Sequence, residues 1–187
     1  LEEMKATQYE AKIRALLDET RDKDLKKDIL RALGPAGGSE EAKKILLEYA
    51  EDREDDYRVA AYMSLGNYMD DTKVQELLPQ RYKKEGKDIA AKTAILWAFA
   101  TSRNEELIPV VQEMVSKEKN KQMEDVAALV MDRMRRGDGP PAGGGQGGGR
   151  GQFMRMRKAL APLYAKDKIL RNRVKEWRKW GGGGGGR

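Results

Sequence analysis

One register recurs three times along the chain and limits what it can fold into. Asp24-Leu25-Lys26, Ile29 and Ala32-Leu33-Gly34 set the pattern. Asp56-Tyr57-Arg58, Ala61 and Ser64-Leu65-Gly66 repeat it 32 residues later, and Ala90-Ala91-Lys92, Ile95 and Ala98-Phe99-Ala100 repeat it after a further 34. In each copy a cation, Lys26, Arg58 or Lys92, falls eight positions before the small last residue. An acid, Asp22, Glu54 or Asp88, falls four residues before that cation. Acid then base at this spacing predicts a favourable pair on a helix. The apolar and small positions fall on one helical stripe, and no stretch alternates as a strand would. A bundle of unrelated helices would share the periodicity, but it gives no reason for a threefold register.

A second helix is predicted after each copy. The breaks are Gly34-Pro35-Ala36-Gly37-Gly38, Asp70-Asp71 and Thr101-Ser102-Arg103. Ser39, Asp71 and Asn104 are the expected N-caps, and Glu40 and Glu41 suit a first turn. The second helices then run over 39–50, 72–84 and 104–117, with Pro79 expected to kink or end the middle one. Their apolar faces are Ala42, Ile45, Leu46 and Tyr49; Val74, Leu77 and Leu78; and Leu107, Ile108, Val111 and Met114. A helix near 119–136 with Val126, Leu129, Val130 and Met134 reads as a degenerate fourth unit, with Glu124 where the cation should be. A helix near 3–20, with Ile13, Leu16 and Leu17, should close the N-terminal end.

The best-formed copy, Arg58-Val59-Ala60-Ala61-Tyr62-Met63-Ser64-Leu65-Gly66, resembles the HEAT-repeat family. The likeness is to the short variety, found in phycobilin lyases, whose first helix reads V-R-x-x-A-x-x-A-L-G. It extends over roughly residues 22–134 and includes Lys26 to Gly34. The resemblance implies an all-α solenoid of about three to four antiparallel helix pairs in a right-handed superhelix, with the second helices lining a concave partner surface. In phycobilin lyases the fold cradles a chromophore; no corresponding site is identifiable in this chain.

Charge and glycine divide the chain further. Residues 1–149 carry 25 basic and 29 acidic side chains, whereas residues 150–187 carry 12 basic and 2 acidic. Fifteen of the 20 glycines lie after residue 136. The expected organisation is a helical repeat domain over 1–136, a Gly/Pro-rich flexible linker over 137–152, a basic amphipathic helical segment over 153–180 and a Gly tail over 181–187. The linker should span about 20–24 Å on average. Pro162 fits the first turn of a fresh helix. Leu163, Leu170, Val174 and Trp177 would form its apolar face.

The chain has no His and no Cys. Disulfides, thiolate metal sites, Cys nucleophiles and His-based catalysis are therefore excluded. No 18-residue apolar run indicates a membrane span. The first residue is Leu1, as expected of a processed, trimmed or incomplete chain. The acidic run Glu48, Glu51, Asp52, Glu54, Asp55, Asp56 lacks the alternating oxygen ligands of a calcium loop, and reads as a solvated turn. Trp97, Phe99 and the methionines read as core. No catalytic, cofactor-binding or metal-ligating residue is expected.

The expectation is a non-enzymatic interaction or assembly scaffold without a cofactor. Its basic arm would contact a protein partner, including a second copy, through Arg155, Arg157, Lys158, Arg171, Arg173, Lys175, Trp177, Arg178, Lys179 and Trp180. Self-association would then be heterologous, giving rings or filaments. The same arm also suits nucleic acid or an anionic membrane through residues 150–187, or docking in cis on the solenoid.

Overall fold

A computed structural model of the chain describes residues 2–34, 39–136, 158 and 161–166. Among these residues all regular structure is helical. The helices are α1 (Glu2–Glu19), α2 (Lys23–Leu33), α3 (Glu40–Tyr49), α4 (Asp55–Leu65), α5 (Thr72–Lys84), α6 (Ile89–Ser102), α7 (Ile108–Val115), α8 (Lys121–Arg136) and α9 (Ala161–Lys166). Short 3-10 turns follow α4 and precede α7.

Helix ends follow the local chemistry. Ser39 accepts a hydrogen bond from the Ala42 N–H at 3.0 Å, Asp71 from Lys73 at 2.8 Å and Asn104 from Glu106 at 2.9 Å. These are the three predicted caps. The acids of the recurring register also cap helices. Asp22 accepts from the N–H groups of Asp24 and Leu25, and Asp88 from that of Ala91. Glu54 precedes α4 without a side-chain cap and instead accepts from Lys23 Nζ at 3.0 Å. The acid four residues before each cation is thus a helix boundary, and the expected i,i+4 pairing gives way to that role. Helix α5 runs through Pro79 to Lys84. Its buried Val74, Leu78 and Tyr82 anchor it on both sides of the proline. Arg103, at φ 55°, turns the chain out of α6 in the left-handed conformation.

The helices form two layers. α4 packs between α2 and α6, and α6 between α4 and α8. α3, α5 and α7 lie behind α4, α6 and α8, while α1 packs on α3 and α2. Each unit meets its sequence neighbours, which is the organisation of an α-solenoid. The core runs along the join, through Leu30, Leu33, Ile45, Leu46, Tyr62, Leu65, Leu78, Ile95, Phe99, Val111, Val126 and Val130. Met69, Met114, Met123 and Met134 are buried in it, and Met63 and Met131 pack against it. On α1 the stripe is Ile13 and Leu17, one turn apart; Leu16 falls off it and is 44% exposed. Trp97 is half-buried against the core, with the Arg133 guanidinium 5.3 Å from its ring centroid.

Gly34 and Gly66 mark where neighbouring units approach most closely. A Cβ on Gly34 would stand 3.0 Å from Ser64 Cα. On Gly66 it would stand 2.7 Å from the Ala98 carbonyl oxygen and 2.9 Å from Ala98 Cα. Both glycines have ordinary negative φ, so the demand is for space and not for backbone freedom. The glycine of one unit thus packs on the small residue two places before the last position of the next unit's register, Ser64 before Gly66 and Ala98 before Ala100. Ser64 Oγ donates to the Leu30 carbonyl at 2.8 Å, and Tyr68 OH to that of Leu33 at 2.9 Å, fixing the register between α2 and α4.

Gly66→Ala should therefore lower stability by about 1–3 kcal/mol, the usual cost of overpacking. Because the clash is with Ala98 backbone, adding Ala98→Gly should not rescue it. Urea denaturation of the single and double variants checks this; an unchanged midpoint for Gly66→Ala would contradict the close-approach account.

Candidate functional site

The recurring cations bind the solenoid together rather than a ligand. Arg58 on α4 holds Glu85, in the turn after α5, with Nε to Oε1 at 2.9 Å and Nη2 to Oε2 at 3.0 Å. Tyr62 OH donates to the same carboxylate at 2.6 Å. One unit on, Lys92 of α6 donates to Glu118, in the turn after α7, at 2.8 Å, and Tyr82 OH donates to it at 3.1 Å. Lys92 also stands 4.8 Å from the Tyr82 ring centroid. In the first unit Lys26 lies over the Tyr57 ring at 5.6 Å. Glu85 and Glu118 are largely buried, at 7% and 12% side-chain exposure, so their partners are needed. Burial, reinforced by the neighbouring carboxylates, holds the Tyr62 and Tyr82 hydroxyls protonated well above the ordinary tyrosine range.

The acidic run is likewise structural: it is the solvated turn the sequence predicts, with Asp55 and Asp56 in the first turn of α4, and its exposed carboxylates also form ion pairs. Glu48 pairs with Arg14, Glu51 with Arg81, Glu54 with Lys23, Asp55 with Arg58 and Asp56 with Lys27. Asp52 accepts from the Glu54 N–H at 2.8 Å. These cations come from α1, α2, α4 and α5. The run therefore gathers four helices around the α3–α4 turn. No group of His, Cys, Asp and Glu among the described residues has the arrangement of a metal site. Nor is any described helix long and apolar enough to cross a membrane.

Two surface features remain once these pairs are set aside. The first is the outer side of α6, whose sequence carries one charge, Lys92, in 14 residues. A helix that is apolar all round must be covered all round. α4 and α8 flank it, α5 lies behind it, and α9 packs on it. Pro162 stands in the first turn of α9, as its sequence predicts, and Leu163 is buried to 2% exposure. Ala90 and Thr93 on α6 are buried as well. Part of the arm thus docks in cis. Of the arm residues expected to bind a partner, Lys158 is helical and exposed. Arg155, Arg157, Arg171, Arg173, Lys175, Trp177, Arg178, Lys179 and Trp180 lie outside the described residues, as do the 137–152 linker and the Gly tail.

The second feature is a groove of about 170 Å³ between α1 and α3, lined by Arg14, Leu17, Asp18, Ile45, Glu48, Tyr49 and Asp52. Sequence reasoning missed it, because its two walls are about 30 residues apart in the chain.

Two outcomes follow. Leu163→Ser should release α9 and uncover the apolar side of α6, seen as a several-fold rise in fluorescence of an added hydrophobic dye; an unchanged signal would mean α6 is covered by other means. Acid should weaken the repeat joints. The hydrogen bond from Lys92 is the main cause holding the Glu118 carboxyl below the usual 4.5, and Lys43 does the same for Asp71 against the usual 3.8. Both folded-state values are depressed, so their stabilisation is full above those ordinary values and is lost as pH falls through the folded ones. The urea midpoint should hold from about pH 7 to 5 and drop below about pH 4. Glu118→Gln should flatten that drop; an identical slope would remove Glu118 from the account.

The family model for HEAT repeats matches residues 10–96, from within α1 to within α6. No curated protein and no solved structure matches the chain.

Proposed function

We propose that this chain, a HEAT-repeat protein over residues 10–96, is a non-enzymatic assembly scaffold. HEAT repeats generally mediate protein–protein interaction. The solenoid would be the docking surface, and the basic arm would contact a neighbouring subunit or an acidic partner. One observation carries the reading: α6 already accepts an amphipathic segment, α9, through the buried Leu163. The surface is therefore chemically suited to helical guests. The charge division supports it, because a body with an acidic excess and an arm with ten more basic than acidic side chains attract one another. The recurring ionisable clusters hold helices together. Domain limits of 1–136, 137–152, 153–180 and 181–187 belong to the same proposal.

The test is the solution mass of the full chain by light scattering at low and high salt. The comparison is a full-length variant with Arg171, Arg173, Lys175, Arg178 and Lys179 replaced by Ala. The intact chain should exceed its 21.1 kDa monomer mass at low salt, and the variant should not. A second reading, nucleic-acid binding by the arm, rests on the same cations. It would displace the first if the intact chain stays monomeric and binds duplex DNA with a log–log salt slope near about −4, lost in the variant. Binding of phosphatidylserine vesicles with the same dependence on the variant would favour a membrane role instead.

A further inference from the structure

The two ends of the solenoid are finished differently. In α4, α6 and α8 the side turned to the preceding unit is buried: Tyr57, Ala61 and Ser64, then Ala91, Ile95 and Ala98, then Met123, Ala127 and Val130. The same register positions in α2 are Leu25, Ile29 and Ala32. Here Leu25 is 41% exposed, Ile29 is half-buried and Ala32 is exposed. Leu16, in the last turn of α1, is exposed too, and these two leucines are the large apolar side chains left exposed among the described residues. The opposite end is closed with polar groups. α8 has Glu124 and Asp132 where α4 has Arg58 and Gly66, and the neighbouring Asp125 and Ala128 are exposed. End units of a solenoid need a polar outer side. The C-terminal end has one, whereas the N-terminal end keeps the apolar stripe of an inner unit. α1 packs on α2 and α3 as α5 packs on α6 and α7. It therefore holds the place of a second helix, with no first helix beside it among the described residues.

The missing half of that register stands in the arm. Each inner first helix ends on two apolar residues three apart and then a small one: Leu30, Leu33 and Gly34; Tyr62, Leu65 and Gly66; Leu96, Phe99 and Ala100. Trp177, Trp180 and Gly181 repeat that ending. Arg173 falls eight positions before Gly181, as Lys26, Arg58 and Lys92 fall before their small residues. The positions that would face a preceding unit are Asn172, Glu176 and Lys179, all polar, as an end unit requires. Ile169 stands where the capping acid would be. We propose that residues 170–181 of a second copy supply the first helix that α1 lacks, laid along Leu25, Ile29 and Ala32 of α2, joining molecules head to tail. Gly181 would pack on Ala32, as Gly34 packs on Ser64 and Gly66 on Ala98. Arg173 would meet the exposed Glu19 at the end of α1, as Arg58 meets Glu85 in the turn after α5. The proposal rests on the reading of the arm as an assembly device, and it names the receptor and the register.

The length of the arm favours a second copy over the same chain. α9 holds the arm on α6. From α6 past α4 and α2 to a helix on the outer side of α2 is three helix spacings, roughly 24–30 Å. Arg173 follows Lys166 by seven residues, which advance about 10 Å as the helix the sequence predicts. Fully extended they reach at most about 25 Å, and the helix to be docked would be shortened. End-to-end stacking of two bodies is the poorer alternative, since Glu124, Asp125 and Asp132 of α8 would be pressed against Leu25 and Ile29.

The test uses full-length variants, with the parent chain as control: Ala32→Arg in the receptor, Trp177→Ala/Trp180→Ala in the arm, and Gly181→Val against Gly184→Val for the register. Ala32 is exposed, and circular dichroism checks that the variants keep their helices. Leu25→Lys, at another exposed position, is a second receptor variant and should act as Ala32→Arg does. By light scattering at low salt the parent should assemble, while the receptor variants and the tryptophan variant should each remain monomers. A mixture of Ala32→Arg with the tryptophan variant should form a one-to-one pair, since each keeps the half that the other lacks. Gly181→Val should weaken assembly at least tenfold and Gly184→Val should leave it unchanged, because the first alone falls at the close approach. Equal assembly by these two would overturn the register. If the parent and both receptor variants assemble equally while the five arm replacements give a monomer, the α2 receptor is overturned and the arm reading stands. Assembly that the five arm replacements leave intact overturns the arm reading itself. If the parent is monomeric at every concentration, self-assembly fails and this proposal fails with it.

Discussion

The contact between Gly66 and the backbone of Ala98 is the constraint on which the rest depends. It sets how near α4 and α6 can lie, and Gly34 against Ser64 does the same between α2 and α4. Close packing leaves these helices room only for small or apolar side chains on their shared sides, such as Ser64, whose hydroxyl donates to the Leu30 carbonyl. α6 therefore became apolar all round, with Ala90, Ala91, Ala94, Ala98 and Ala100 among its buried residues. That solution moves the difficulty outward, because a helix of this composition cannot face water on its remaining side. α9 answers it. A glycine in the second unit is thus linked, through two layers of packing, to the arm's need to fold back on the body.

Electrostatics in the molecule serves two different ends. Arg58 with Glu85, and Lys92 with Glu118, bridge a helix to the turn that follows the next one. Each is largely buried, hydrogen-bonded by a tyrosine and repeated in register. Such pairs are expensive to break, since removing one partner leaves a buried charge alone. They make each joint specific. Around the α1–α3 groove the pattern changes: carboxylates stand at helix C-termini, where the dipole disfavours them, and the one available cation is shared between Glu41 and Glu48. Glu48 pairs with Arg14 there, and Asp52 accepts from the Glu54 N–H in the turn that leads into α4.

Much of the body was legible in the sequence. The three registers, the caps Ser39, Asp71 and Asn104, and the faces of α3, α5 and α7 follow from spacing and side-chain chemistry alone. What was not legible required knowing which parts of the chain meet. Asp22 and Asp88 read as ion-pair partners of the cations four residues on, yet they cap helices, because the N-terminal N–H groups need acceptors, while Lys92 is taken by Glu118 and Lys26 lies over the Tyr57 ring. Leu16 read as core beside Leu17, but the side of α1 that meets α3 and α2 carries Ile13 and Leu17 and leaves Leu16 exposed. The acidic run read as solvated, and its carboxylates are exposed; the ion pairs it also makes were not legible, because Arg14, Lys23, Lys27 and Arg81 lie on other helices. The groove was invisible for the same reason: its walls come from helix ends that become adjacent only when α1 and α3 stack.

The docking of α9 also bears on how an arm of this kind can reach anything. Residues 137–157, nine of them glycine, separate Arg136 at the end of α8 from Lys158 in the sequence. Burying Leu163 on α6 gives the arm a second, fixed point of departure. In the sequence the basic segment therefore follows directly on a helix that the body already holds through Leu163. A short apolar helix on the body followed by a charged aromatic end is then a division of labour. The first part fixes position in cis. The second carries most of the arm's basic charge and two of the chain's three tryptophans.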